Sequence, residues 1–361
     1  GSGRRFARIG DALRAAQPGD VVEVDPGDYA GEALIIDKDL LTLRGAGLER
    51  PRLIAAGASA EGKGTVLVRA LGVVVENLEL SGARAPDLYG CGIRLERGSL
   101  RVDRCRFVDN ELAIMTANDP SIVLQVAGCE FSGLLDASQR GRALAHTIYV
   151  GVADSFLLED SYLHAGSVGH LVKSRARTSV LRYNRVTDED GISSYEVEFP
   201  DGGEVVVVGN LIQQGRRSQN PNIVAYGAES LRWTNNRIDV LFNTVVNQRD
   251  GGGTFLMVAR EAVAVRMRYN LLVGTGGLRV PDGSDIADNP RAALQDFADA
   301  ERFDLRPRAG ARWIGAASGA DHALGALAPQ REYVHPAKSR PLPPRTPLSV
   351  LTPGAFQSVA G

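Results

Sequence analysis

The sequence predicts an all-β protein built as a solenoid of short strands, and three observations carry that expectation. Forty-one glycines, only 6% aromatic residues and recurrent Val/Leu/Ile runs describe many short strands joined by tight turns. One helical pattern opens the chain, and the strands after it follow one another through turns with no second helix. A unit of the form apolar-x-apolar, two or three residues, a small residue or Asn, x, apolar then recurs many times.

Taken in order, Phe6, Ile9 and Leu13, with Ala12 and Ala16, fall on one face of a short helix that Gln17-Pro18-Gly19-Asp20 ends. Val21-Val22-Glu23-Val24, the turn Asp25-Pro26-Gly27-Asp28, Leu34-Ile35-Ile36 and Leu41-Thr42-Leu43-Arg44 read as strand, turn, strand, strand. The repeat unit is anchored at Leu78, Cys105, Cys129, Ser161, Asn184, Asn210, Asn236 and Asn270, with gaps of 27, 24, 32, 23, 26, 26 and 34 residues. Three strands of about five residues and three turns fill a base period of roughly 23 to 26, so each rung buries its inward side chains only by stacking on the next. That is a parallel β-helix. Asn184, Asn210 and Asn236 are expected to stack as an amide ladder at one turn, with Cys105 and Cys129 as small buried fillers at the same place.

Composition narrows the function. A chain of 361 residues that is 44% hydrophobic has enough apolar content for a large core. Forty-one Lys+Arg against 43 Asp+Glu leaves a net charge of −2, which supplies no global field for a polyanion, so nucleic acid is not an expected partner. No apolar run is long enough for a membrane span. Cys91, Cys105 and Cys129 lack the C-x-x-C pairing of a zinc site, and no metal ligand set is predicted. Gly1-Ser2-Gly3 looks like a cloning remnant, and no basic-then-apolar signal follows it.

The opening amphipathic helix, Pro18-Gly19-Asp20-Val21-Val22-Glu23-Val24, Asp25-Pro26-Gly27-Asp28-Tyr29 and Leu41-Thr42-Leu43-Arg44-Gly45-Ala46-Gly47 resemble the N-terminal cap and first rungs of the right-handed parallel β-helix superfamily of pectate-lyase-like proteins. The resemblance spans roughly residues 5–285. A β-helix over 4–285 is therefore expected, followed by an irregular C-terminal cap and Pro-rich tail over 286–361 that covers the open end. The superfamily holds polysaccharide lyases, glycoside hydrolases, epimerases and proteins that only bind glycans, so the fold leaves activity open. It implies a secreted or periplasmic protein whose signal peptide has been removed.

Four consecutive rungs concentrate ionisable and aromatic residues: His146-Thr147-Ile148-Tyr149, His170-Leu171-Val172-Lys173-Ser174-Arg175, Tyr195-Glu196-Val197-Glu198-Phe199 and Ile223-Val224-Ala225-Tyr226. Aligning Ile148, Val172, Val197 and Ala225 as an inward column sends Tyr149, Lys173, Glu198 and Tyr226 outward along a line of about 14 Å. Lys173 and Arg175 share a face and make a local positive site that suits a uronate carboxylate. In β-elimination such a site neutralises the carboxylate while a base removes the C5 proton and an acid protonates the leaving oxygen. Lys173 or His170 as base, Arg175 as clamp and Tyr149 as acid is one assignment; Tyr149 as base with His146 or His170 polarising the carboxylate is the other. Tyr195, Glu198, Tyr226, Arg217 and Asn220 are expected to line the substrate. Burial and Arg175 would lower the Lys173 pKa, and Glu198 would oppose them.

The chain lacks the Trp-Ile-Asp-His run of classical pectate lyases and the Asn-Thr-Asp and Asp-Asp carboxylates of polygalacturonases, which it resembles only at Gly169-His170. The β-helical alginate and chondroitin lyases, with Lys and Arg beside carboxylates, are the nearer analogy. The expected function is cleavage of an acidic polysaccharide by a lyase. A hydrolase using Glu196 and Glu198 and a non-catalytic glycan-binding module are the alternatives. No cofactor is required by this reading; calcium enters as a candidate through Asp188-Glu189-Asp190.

Overall fold

The computed structural model describes residues 5–133, 146–260, 263–302, 304–344 and 350–357. It is a parallel β-helix of three sheets, each coil contributing one strand to each sheet in turn. In one sheet Ser155–Glu159, Thr178–Arg182, Glu204–Val208 and Arg237–Leu241 lie side by side. In the second, Ile148–Val150, Val172–Ser174, Val197–Phe199 and Asn222–Tyr226 do so. In the third the run is Tyr162–His164, Arg185–Thr187, Leu211–Gln214 and Thr244–Asn247. Two long strands, Gly64–Glu76 and Cys91–Asp103, pass unbroken from the second sheet into the first and join them near the N-terminal end.

The predicted opening helix is Ile9–Ala15, burying Ile9 and Leu13 over the first rung. Its orphan N–H groups are met from a strand connection: Glu32 accepts from the backbone N of Ile9 (3.2 Å) and Gly10 (2.9 Å).

The amide ladder exists, but one of its members differs from the expected residue. Each Asn Oδ1 accepts the backbone N–H of the residue one rung earlier, in the order Ser161, Asn184, Asn210, Asn243, Asn270, Asn289. Cys129 and Ser161 hold the same place in the rungs before. Asn236 is not in this stack; it lies seven residues earlier in its rung, where its Oδ1 accepts from Gly203 N at 3.0 Å. The spacing pattern masked a longer rung, 33 residues from Asn210 to Asn243.

The second-sheet register also corrects the sequence alignment. Ile148, Val172, Val197 and Val224 stack inward. The outward column is therefore Met115, Tyr149, Lys173, Glu198, Ala225 and Met257. Tyr226 pairs with Phe199 in the core, fully buried, with its hydroxyl donating to Gly203 O at 2.6 Å. One residue of slip turns a side chain to the opposite face, which is why the expected outward Tyr226 is an inward one.

Parallel strands continue to Arg291–Ala292, beyond which the chain turns into antiparallel hairpins, Phe297–Asp299 with Asp304–Pro307 and Arg331–Val334 with Lys338–Pro341. The expected cover for the open end instead lies along the side of the solenoid. Phe297, Leu305, Trp313, Tyr333 and Phe356 pack on the outward apolar residues Leu211, Val246, Leu271 and Val273, and Leu324 and Leu351 pack on Leu241, Phe242 and Tyr269. Arg331 reaches back to Asp160 at 3.1 Å, and Gln330 N donates to the Tyr183 hydroxyl at 2.9 Å. Third-sheet side chains such as Leu211 and Leu271 face outward as apolar groups because this segment covers them.

Asn243 accepts from both nitrogens of Asn210 and donates to Val207 O and Leu241 O. Asn243→Ala leaves several buried polar groups unpaired and is expected to cost at least about 3 kcal/mol. In denaturant titrations its midpoint should fall well below that of the exposed control Asn235→Ala; equal midpoints would remove the ladder from the stability argument.

Candidate functional site

The expected positive site forms on the outward face of the second sheet. Lys173 and Arg175 lie on one face as predicted, but neither is a bare cation. Lys173 Nζ is 3.1 Å from Glu198 Oε2 and 2.9 Å from Glu229 Oε1. Arg175 Nη2 is 2.7 Å from Glu229 Oε2, its Nη1 2.8 Å from Asp201 Oδ1, and its Nε donates to the Tyr149 hydroxyl at 3.1 Å. Arg232 Nε closes the network on Asp201 Oδ2 at 3.1 Å.

The aromatic corner precedes the strand on each rung. His146 and His170 rings lie 4.6 Å apart, and Tyr195 meets His170 edge-on at 4.7 Å. His146 Nδ1 accepts from His170 N at 2.9 Å, and His170 Nδ1 accepts from Tyr195 N at 3.3 Å. These bonds place each proton on Nε2, and His170 Nε2 lies 3.0 Å from Glu198 Oε2. His170 thus has its Nδ1 lone pair committed to the backbone.

Charge and burial set the protonation states. Burial alone would depress the Lys173 ammonium, yet the Glu198 and Glu229 carboxylates outweigh it and raise its pKa. The lowered pKa that burial and Arg175 suggested is therefore reversed by the two carboxylates. Burial pushes Glu198 up, but His170 and Lys173 draw it below the usual carboxylate range, and Glu229 is drawn down in the same way by Lys173 and Arg175. His146 falls to about 2, chiefly through burial, with His170, Lys173 and Arg175 adding to the effect.

Glu229, Asp201, Arg232 and Trp233 were not candidates in the sequence. They enter through chain length: three residues join the second-sheet strand to the first-sheet strand after Ser174 and four after Phe199, but ten after Tyr226. This segment, 227–236, folds back over the earlier rungs. Glu229 N and Ser230 N donate to Pro200 O, Arg232 N to Asp201 O, and Trp233 Nε1 to Arg175 O at 3.2 Å. Anchoring the repeat at Asn236 concealed the insertion. Tyr149, Lys173, Glu198 and Ala225 thus lie between the His146–His170–Tyr195 corner on one edge and 227–236 on the other, with Lys173, Glu198 and Ala225 largely enclosed.

Other expected residues stand apart. The Arg217 and Asn220 segment packs on the next corner, where Gln219 N donates to Ser193 O at 2.9 Å. Arg217 is exposed there. Asn220 is spent on its own turn, accepting from Asn222 N and from Gln214 Nε2. Glu196 does not stand beside Glu198 in the groove: it is fully enclosed near Ser193 and Gln214, and burial followed by repulsion from Asp188 holds its carboxyl well above the usual range.

The acidic turn diverges. Asp188 points inward and accepts from Ser193 N, with burial pushing it up to about 6; Glu189 pairs with the Tyr162 hydroxyl; Asp190 is exposed. Among the described residues no three His, Cys, Asp or Glu side chains converge on one point. At the groove, Glu198, Glu229 and Asp201 are each bonded to Lys or Arg, an interleaving of charges that does not fit a divalent cation's need for clustered oxygens.

Because the unfolded chain protonates His146 near 6.5 and the folded protein does not, stability is lost as pH falls below about 6.5, by at most about 1.4 kcal/mol per pH unit. His146 imidazole resonances should stay flat between about pH 4 and 8, and His146→Gln should flatten the acid slope of the melting midpoint. A titration near neutrality would refute the buried, uncharged ring.

No protein-family model matches the chain, and no curated protein matches it in sequence. Among solved structures it is similar to the crystal structure of pectate lyase Pel9A, at a TM-score of 0.52 and 14% identity over 96% of this chain and 90% of that one. At that identity the likeness is one of fold.

Proposed function

We propose that this chain, a parallel β-helix of the pectate-lyase-like kind, is a lyase that cleaves a uronic-acid polysaccharide by β-elimination in the groove over Tyr149, Lys173 and Glu198. The observation that carries the reading is the Lys173–Arg175 pair on the outward face of the sheet, bridged by Glu229, a half-exposed carboxylate that belongs to a surface segment.

Arg175 is the carboxylate clamp: its Nη2, which meets the half-exposed Glu229, offers a charged donor to a uronate, and neutralising that group lowers the cost of negative charge at the adjacent carbon. Tyr149 is the base that takes the C5 proton on its side-chain oxygen; Arg175 Nε is 3.1 Å from that oxygen and Lys173 Nζ is 6.0 Å from the ring centre. The C4–O bond then breaks, and the Lys173 ammonium gives a proton to the departing glycosidic oxygen. Lys173 suits the acid role because the enclosed Glu198 carboxylate beside it favours its charged form. His170 and Glu198 position Lys173 and do not exchange protons with the sugar. The enclosed Glu196 removes the carboxylate pair on which a hydrolytic reading rested. Export follows from the polymer substrate, which lies outside cells.

Incubation with alginate, pectate, glucuronan and glycosaminoglycans, with calcium or chelator, should raise absorbance at about 235 nm with one of them, the signature of the unsaturated uronate. Tyr149→Phe, Lys173→Gln and Arg175→Gln should each slow that rate by about 10²–10⁴-fold with the fold intact by circular dichroism. New reducing ends on a flat trace would replace elimination with hydrolysis; neither signal, with retained polymer binding, would make the protein a glycan-binding module.

A further inference from the structure

Glu229 stands where the proposed substrate's carboxylate would stand. Of the three carboxylates bonded to Lys173 and Arg175, the Glu198 and Asp201 side chains are each 4% exposed, whereas that of Glu229 is 48% exposed. Glu198 and Asp201 are fixed parts of the site, carried on or just after a sheet strand and held by His170 or Arg232 as well. Glu229 has only the two cations for side-chain partners among the described residues, and it bridges them with one oxygen each, 2.9 Å and 2.7 Å away.

The backbone around Glu229 is tied down independently of that side chain. Its N donates to Pro200 O, its carbonyl accepts from Arg260 Nη2 at 3.1 Å, and Trp233 and Arg232 fasten the remainder of the segment. The carboxylate can therefore swing to solvent by side-chain rotation while the segment stays in place. In the ion-pair network Lys173, Arg175 and Arg232 meet Glu198, Asp201 and Glu229, with Arg260 close by on the Glu229 carbonyl; turning Glu229 away leaves positive charge in excess, with two donors aimed at a vacated carboxylate position.

We infer that Glu229 is a built-in stand-in for a uronate carboxylate, a side-chain latch that occupies the Lys173–Arg175 subsite until an acidic sugar displaces it. This rests on the lyase reading for its ligand class but concerns binding, so it is tested without turnover. One carboxylate replaces another, so the cation pair is never left bare in a partly buried place, and a neutral sugar gains nothing by entering. The latch thus sets specificity for acidic residues at a cost in affinity.

Calorimetric titration with D-glucuronate and with galacturonate and mannuronate trisaccharides tests it. Glu229→Gln should bind at least one of these probes about tenfold or more tighter than the wild-type chain, glucose should bind neither, and Arg175→Gln placed on Glu229→Gln should abolish the gain. Trp233→Phe, which removes only the indole tie, gives a second variant that loosens the segment and should shift affinity the same way by a smaller factor. Unchanged or weaker binding in a folded Glu229→Gln would overturn the latch and make Glu229 a binding residue in its own right. The two readings fail separately: tighter binding with no product at 235 nm from any polymer keeps the latch and removes the lyase, whereas product from the wild type with weaker binding in Glu229→Gln keeps the lyase and removes the latch.

Discussion

The register of the parallel second sheet is the constraint on which the remainder depends. Once Ile148, Val172, Val197 and Val224 are stacked in the core, Tyr149, Lys173 and Glu198 are forced onto the opposite face, one above another at about 4.8 Å per rung. No loop folding is needed to bring a phenol, an ammonium and a carboxylate into line. The Asn ladder fixes that register at another corner, because each side-chain oxygen bonds the backbone one rung back and a slip would orphan every amide in the stack. Packing and chemistry are in this sense one decision made twice, on the two faces of the same strands.

What the register cannot do is neutralise the cations it exposes. A lysine and an arginine two apart on a strand would repel each other and lose hydration where the sheet face is partly covered. Three carboxylates resolve that conflict from three directions: Glu198 from the neighbouring strand, Asp201 from the turn after it, Glu229 from a segment two rungs along. Their different burial decides their different roles. A deeply buried partner is expensive to remove and so is structural, while the half-exposed one is exchangeable at small cost.

Much of this was legible in the sequence for physical reasons that can be named. The inward and outward alternation gave Tyr149, Lys173 and Glu198 as neighbours because each lies next to an unambiguous apolar core residue. His146, His170 and Tyr195 hold one place in consecutive rungs, two residues before Ile148, Val172 and Val197, and that shared place is what stacks them at the corner. Tyr226 was lost because Ile223-Val224-Ala225 offers three apolar residues in a row, so periodicity alone does not choose which of them faces in. Glu229 was lost for a different reason. Its site is set by a ten-residue connection whose path depends on hydrogen bonds to Pro200, Asp201 and Arg175, and no residue pattern encodes where such a connection lands.

The C-terminal segment shows the same limit from the other direction. Leu211, Val246 and Leu271 lie on the third sheet in strands where nearly every residue is buried, so alternation fails and the sequence alone reads them as core. They are buried on both faces because Phe297, Trp313, Tyr333 and Phe356 cover the outer one. The segment covers the third sheet, whereas the second-sheet line of Tyr149, Lys173 and Glu198 is crossed by the 227–236 connection. The C-terminal segment and the 227–236 connection thus lie against different sheets: Phe297, Trp313, Tyr333 and Phe356 pack on the third, and Glu229 meets Lys173 and Arg175 on the second.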